Sequence, residues 1–145
     1  MVRGGDDRMH DRLYIEYLYY FNEERDYYEC HEVMEELWLL EGKNKLLQGL
    51  LQVAVGLHHF RNDNITGAIK LFEQAMAKHQ EPWSGELGIN KERLFHEVQM
   101  YLYKLYDYNN KPFPFYDLTI EITDPSLAEA VSTCVPLGVA EEDKF

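Results

Sequence analysis

The chain has 145 residues, of which 46% are hydrophobic and 14% aromatic, so a single domain spanning residues 1–145 can bury a core without a disulfide or a structural metal. Its net charge of −12 disfavours nucleic acid and anionic membranes as partners, because both are polyanions. The longest apolar run, at residues 50–57, is too short to cross a bilayer, and no secretory apolar core follows Met1, so we expect a cytoplasmic protein.

Two helices are predicted in the first 42 residues. Tyrosine and aliphatic side chains recur at spacings of three and four over residues 11–22, which predicts the first helix. A polar break at 23–26 separates it from a second periodic stretch that begins at Tyr27 and ends near Gly42, a suitable C-cap. Cys30 is expected to be a small, reduced core residue of this second helix, since neither cysteine has the spacing of a metal or redox motif.

One stripe of the second helix combines an imidazole, a carboxylate and an indole. At about 100° per residue, His31, Glu35 and Trp38 share a narrow arc at the edge of the buried face. A carboxylate one turn from an imidazole suits proton transfer or metal ligation, but it is equally an ordinary surface pair at this spacing. The other carboxylates of the helix are predicted to face water: Glu29, Glu32 and Glu36.

The third helix, over residues 46–60, is apolar almost all round and is therefore predicted to be central. Its few polar side chains fall within about 40° of one another: Gln48, Gln52 and His59. Gly49 and Gly56 lie beside them, and since glycine costs about 1 kcal/mol in a helix interior, they predict the close approach of another backbone or of a ligand. His58 is predicted on the apolar side, as a neutral imidazole bonded to a carbonyl.

Two further long helices follow, and each begins after an asparagine cap. The patterns predict helices over residues 65–79, after Asn64, and 91–108, after Asn90. Residues 111–125 contain Pro112 and Pro114 and are predicted to run extended along the bundle.

The last elements of the chain are less regular. Residues 118–122 alternate like a strand that has no evident partner, and a short helix is predicted from Pro125 to about residue 132. Residues 1–10 and 140–145 are expected to be frayed. The sequence therefore predicts an all-α fold, a compact bundle of about five helices with an extended, largely irregular C-terminal segment.

Three sequence elements together resemble a known family. They are residues 21–38, then 48–58, then Asn64 with Gly67 and Ala68. This series resembles the domain of unknown function numbered 309, a family of small helical proteins whose hallmark, His-x-x-x-Glu-x-x-Trp, is met by His31, Glu35 and Trp38. The resemblance covers roughly residues 13 to 80, and it implies an all-α bundle but no particular reaction.

The polar side chains of the second and third helices suggest a site. Consecutive helices joined by a short turn are usually neighbours, so the two polar stripes are expected to face each other across a pocket. The ligand-binding residues of this pocket are predicted to be His31, Glu35, Trp38, Gln48, Gln52 and His59. The alternative is that these groups form a structural cluster and only satisfy one another, since an unpaired buried polar group costs about 1–3 kcal/mol.

A divalent metal is the alternative ligand. His31 and Glu35 would supply two ligands from one helix, with His59 or Glu73 as a third. The spacing differs from the His-Glu-x-x-His of zinc hydrolases, because position 35 is a glutamate and Glu32 is turned about 100° from His31.

Two classes of function therefore follow from the sequence. The first is a helical bundle that binds a small molecule or a protein partner through the polar pocket. The second is a metal-dependent, hydrolase-like enzyme that uses His31 and Glu35. The sequence leaves open whether the protein is an enzyme, and the aromatic surfaces are compatible with a homo-oligomer.

Overall fold

The computed structural model describes residues 5–83 and 87–139, with side chains from residue 12 onward. Its helices are α1 (Gly5–Tyr19), α2 (Tyr27–Leu40), α3 (Lys45–Arg61), α4 (Ile65–Met76), α5 (Lys91–Tyr106) and α6 (Pro125–Ser132), with a π-helical turn, Tyr20–Glu24, between the first two. The all-α prediction is confirmed. Helix α1 begins six residues earlier than expected, and the predicted fraying of residues 1–4 and 140–145 lies outside the described residues.

Helices α1 to α5 pack largely in chain order around α3. Helix α2 contacts α1 and α3, α4 contacts α3 and α5, and α6 packs on α1. The buried Tyr17 hydroxyl of α1 donates a 2.8 Å hydrogen bond to the carbonyl of Leu50 on α3. The central position predicted for α3 follows from its nearly uniform apolar surface, which has to be covered on several sides.

Asparagine residues are the N-caps of three helices. Asn44, Asn64 and Asn90 accept hydrogen bonds from backbone N–H groups in the first turns of α3, α4 and α5. Each such cap satisfies one of the unpaired donors of a helix start and stabilises it by about 1 kcal/mol. The two caps predicted from the sequence, Asn64 and Asn90, are confirmed.

The two glycines of α3 lie where α4 and the residues just after it pack against α3. A Cβ atom placed on Gly56 would lie 2.6 Å from Cε1 of Phe72, and one placed on Gly49 would lie 3.2 Å from Cβ of Lys78. The predicted close approach of a backbone is confirmed at Gly49, where the carbonyl of Ala75 of α4 would lie 3.6 Å from the added Cβ, whereas at Gly56 the approaching group is the Phe72 side chain of α4.

The turn between α1 and α2 holds the extended segment of residues 111–124. The π-helical turn ends at Arg25, whose φ of 56° is left-handed. From there its guanidinium donates hydrogen bonds to the carbonyl of Leu118 and, at 2.8 Å, to Oγ1 of Thr119. Asn22 donates to the carbonyl of Ile120 at 2.8 Å and accepts from its N–H at 2.9 Å. The extended segment is thus fixed mainly through its backbone.

The strand-like stretch has a partner that the sequence did not reveal. Ile122 forms an isolated antiparallel bridge with Ile89, just before α5. Ile120, which is two residues earlier and therefore on the same face of the extended chain, is buried. Alternation at 118–122 therefore reflects one face that packs on the bundle.

A buried carboxylate holds the segment that follows α6. Glu16 of α1, only 2% exposed, accepts hydrogen bonds from the N–H groups of Leu137 and Gly138 at 2.9 and 3.0 Å. Arg12 pairs with the same carboxylate at 2.8 Å and donates to the carbonyl of Gly138 at 3.0 Å.

Within the described residues, the helices fall short of the length and apolarity that a bilayer crossing needs.

Candidate functional site

His31 lies between two carboxylates of its own helix. Its Nδ1 is 3.3 Å from Oε2 of Glu32, and its Nε2 is 3.5 Å from Oε1 of Glu35. The pairing with Glu35 follows from the one-turn spacing. Glu32 was predicted to face water, and its side chain is 30% exposed, but it also contacts the imidazole, which the helical spacing did not predict.

Beside this cluster, α2 and α3 form an open cleft of about 180 Å³. Three side chains of α2 and two of α3 line it: Tyr27, Tyr28, His31, Val55 and His58. The ring of Tyr28 lies between the two imidazoles, with centroids 6.2 Å from His31 and 6.0 Å from His58. The cleft is thus a mainly aromatic space with one imidazole on each wall.

His58 is the polar group of the α3 wall. Its Nδ1 is buried and has no hydrogen-bond partner among the described residues, so the predicted bond to a carbonyl is not formed by this atom. Burial, and then the positive charge of Arg61, lower the pKa of His58 below its ordinary value of 6.5. Near neutral pH the ring is therefore uncharged, and its buried nitrogen is free to pair with a ligand atom.

Asp117 and Arg61 fix the position of the Tyr27 side chain. Its hydroxyl donates a 2.5 Å hydrogen bond to Asp117 of the extended segment, and the guanidinium of Arg61 lies 4.7 Å from the centre of its ring. Arg61 also donates a 2.6 Å hydrogen bond to the carbonyl of Arg25. Burial and the bond to Asp117 raise the pKa of Tyr27, so its hydroxyl stays neutral.

The polar stripe of α3 faces away from His31. Gln52, 6% exposed, donates to Gln74 at 3.0 Å and accepts from Lys78 at 3.0 Å, both on the α4 side. His59 Nδ1 lies 3.2 Å from the amide of Asn64. Half-buried Gln48 is one turn before Gln52 on α3. The expected meeting of the two polar stripes is therefore wrong for Gln52 and His59.

The glycines of α3 explain why its polar stripe faces α4 and not α2. Gly49 and Gly56 lie beside the glutamine stripe, and the helix that enters this small-residue surface is α4. The side of α3 turned to α2 is then the one that carries Val55 and His58. The sequence pattern identified the faces of α3 correctly but not which neighbour covers each face.

Trp38 occupies the next turn of α2 beyond Glu35. Its indole Nε1 is buried with no partner among the described residues, and the ammonium of Lys43 lies 5.8 Å from its ring centroid. The residues that line the cleft do not include it. The structure thus brings His31 and Glu35 together and places Trp38 outside the cleft.

The His31 cluster has the composition of a cation site. His31, Glu32 and Glu35 each offer a ligand atom, and these atoms lie within 4.8 Å of one another. Glu32 can hold the Nδ1–H of the imidazole and leave the Nε2 lone pair on the side of Glu35, an arrangement that suits metal ligation. Of the third ligands predicted from the sequence, His59 contacts Asn64, and Glu73 accepts a hydrogen bond from Tyr106 of α5.

Comparisons with known proteins show to which family the chain belongs. A family model described as a domain of unknown function, DUF309, matches residues 14–71, which include every residue that lines the cleft. The chain is 32% identical over 129 residues to the uncharacterized protein YpuF of Bacillus subtilis (strain 168), covering 84% of this chain and 71% of that protein. It is also 31% identical over 80 residues to an uncharacterized protein of Aquifex aeolicus (strain VF5), covering 53% of this chain and 23% of that protein. The chain therefore belongs to the DUF309 family.

Proposed function

We propose that the protein binds a small molecule in the cleft between α2 and α3. The observation that carries this proposal is that His58 lines the cleft and that its buried Nδ1 has no hydrogen-bond partner among the described residues. A buried polar atom left unpaired costs about 1–3 kcal/mol, so a ligand that supplies the missing hydrogen bond gains affinity from it.

The dimensions of the cleft limit the ligand. An apolar cavity of about 150 Å³ holds one benzene ring, and the cleft measures about 180 Å³. Flat faces of Tyr28 and the two imidazoles favour a planar ligand, because aromatic rings gain from offset and edge contacts. We therefore propose a ligand built on a single ring.

Two larger grooves beside α5 are weaker candidates. One, of about 350 Å³, includes Arg93, whose guanidinium already pairs with Glu97 and Glu121. The other, of about 400 Å³, runs from Met100 to Phe113. Neither contains either of the unpartnered buried polar atoms found among the described residues, so nothing in them calls for a ligand.

The experiment is an NMR screen of single-ring fragments that observes the histidine ring signals. Binding in the cleft should shift the signals of His58 and His31, and Val55→Phe should abolish it by filling the space. His58→Leu should weaken binding about tenfold, as expected for a lost hydrogen bond. The matched control, His96→Leu, changes an exposed histidine of α5 and should leave binding unchanged. Fragments that bind equally well to Val55→Phe would refute the site.

A metal-dependent enzyme is the second candidate, and the position of Glu32 favours it. Glu32 gives His31 the carboxylate partner that metal-binding imidazoles commonly have. A divalent metal held by His31 and Glu35 would activate a water molecule for hydrolysis beside the cleft.

Elemental analysis and zinc titration test this second candidate. Stoichiometric metal that is lost in His31→Ala and in Glu35→Gln, but retained in Glu36→Gln, would support it. Glu36 is a suitable control because it lies about 140° around α2 from His31. A protein that takes up no zinc at millimolar concentration would exclude it.

Three other expectations stay predictions. We propose that the protein has no nucleic-acid or membrane partner, on the grounds of the net charge of −12, and gel-shift assays test this for nucleic acid. A cytoplasmic location stays a prediction that cell fractionation tests. Self-association through aromatic surfaces would use the exposed side chains of α5, among them Tyr103 and Tyr106. Light scattering at high concentration tests it, and a monomer would exclude it.

A further inference from the structure

We infer that the ligand of the cleft is a small organic cation, a single aromatic or heteroaromatic ring that carries a protonated nitrogen. This inference rests on the proposed function and names the chemical class of its ligand. It depends on the juxtaposition of the aromatic cleft with the carboxylates of Glu32 and Glu35, both of which contact His31, a residue of one wall.

The carboxylates of Glu32 and Glu35 lie beside the cleft, in contact with His31 of its wall. His31 lines the cleft, and both of its nitrogens are within 3.5 Å of a carboxylate oxygen. The side chains of Glu32 and Glu35 are 30% and 48% exposed, so each retains room for a second partner. An amine one or two bonds from the ring can replace the weak, long contacts of His31 with shorter charge-assisted hydrogen bonds.

The aromatic side chains add to this preference. Tyr28 is 53% exposed, and the face of its ring is available to a cation, an interaction of about 0.5–1 kcal/mol at exposed sites. Over a longer range, the net charge of −12 attracts cations and repels anions.

The opposing charges near the cleft are already engaged. Arg61 lies over the ring of Tyr27 and donates to the carbonyl of Arg25. Its positive charge acts on His58 at the α3 wall, whereas Glu32 and Glu35 contact His31 at the α2 wall. Asp26 and His59 also act on His58, but Asp26 adds a negative charge and His59 contacts Asn64. The balance at the mouth of the cleft is therefore negative.

The test is a matched series of three ligands that share one ring: benzylamine, benzyl alcohol and benzoate. Each is titrated into the intact protein at low salt, with EDTA present to remove metals, while the NMR signals of His31 and His58 are followed. We expect benzylamine to bind about three- to tenfold more tightly than benzyl alcohol, and benzoate to bind most weakly. High salt should reduce the affinity for benzylamine alone.

Glutamate-to-glutamine variants test which carboxylates bind the ligand's amine. Glu32→Gln and Glu35→Gln should each weaken benzylamine binding about threefold and leave benzyl alcohol unchanged. Glu36→Gln removes the same charge elsewhere on α2 and should have a smaller effect. Benzyl alcohol or benzoate binding in the cleft as tightly as benzylamine would overturn the inference and leave the proposed function standing. Absence of binding by all three ligands would count against both.

Discussion

Replacing Gly56 by alanine should destabilise the bundle, because the ring of Phe72 of α4 packs directly against Gly56. The new Cβ would lie 2.6 Å from Cε1 and 2.7 Å from Cδ1 of Phe72. Carbon atoms normally pack at about 3.5–4.0 Å, so one of the two helices has to move by about 1 Å. The ring of Phe72 is fully buried and packs on Tyr101 with centroids 5.4 Å apart, which leaves it little room to rotate away.

Two effects of opposite sign set the magnitude. Overpacking of a well-packed core costs about 1–3 kcal/mol, and the rigidity of the Phe72 ring favours the upper half of this range. Alanine recovers about 1 kcal/mol through its better helix propensity. The free energy of unfolding should therefore fall by about 1–2 kcal/mol in Gly56→Ala.

Urea unfolding followed by circular dichroism measures this change, provided that the m-value stays constant. The matched control is Gly49→Ala, where the new Cβ would lie 3.2 Å from Cβ of Lys78. This milder contact should roughly cancel the gain in propensity. Phe72→Leu in the Gly56→Ala background should cost less than the sum of the two single changes, since it removes the clash. A Gly56→Ala protein as stable as the wild type would refute the close packing of α3 and α4.

Three further predictions concern a cap, an imidazole and a buried carboxylate. Asn64→Ala should lower the free energy of unfolding by about 1 kcal/mol, because it removes the acceptor of the Gly67 N–H; an unchanged urea midpoint would contradict this. The pKa of His58 is lowered in the folded state, so the unfolded state binds more protons as the pH falls below about 6.5. The stability that neutral His58 provides should be lost as the pH falls through its folded pKa, and the pH dependence of urea unfolding should flatten in His58→Leu. Glu16→Gln should cost about 1–3 kcal/mol and accelerate hydrogen exchange at the Leu137 amide, whose bond to the carboxylate it weakens; unchanged exchange would argue against this contact.

The helices could be predicted because their signals are local. A cap and a periodic apolar face lie within one stretch of sequence, so α4 and α5 begin where Asn64 and Asn90 indicated. The cleft could be predicted only in part. His31 and Glu35 share a helix, and their spacing fixes their contact, whereas the role of Val55 and His58 depends on which helix covers each side of α3. Helical periodicity does not contain that information.

The position of the extended segment on the bundle could not be predicted, for a related reason. Its position depends on Asn22 and Arg25, which lie more than ninety residues earlier in the chain and bind backbone atoms of Leu118 and Ile120. A side chain that contacts a distant backbone leaves no pattern at the residues it contacts. The alternation of 118–122 therefore indicated an extended conformation but not its neighbour.

Recognition through the backbone also determines which changes the extended segment can accept. Asn22 pairs with the N–H and C=O of Ile120, and Tyr101 donates to the carbonyl of Tyr116. Neither contact depends on the identity of the side chain at the position that is bound. Substitutions at exposed residues of this segment should therefore be tolerated, except at Asp117 and Thr119, whose side chains accept hydrogen bonds from Tyr27 and Arg25. Inserting or deleting a single residue between Tyr116 and Ile120 would move one of the two anchor points out of reach.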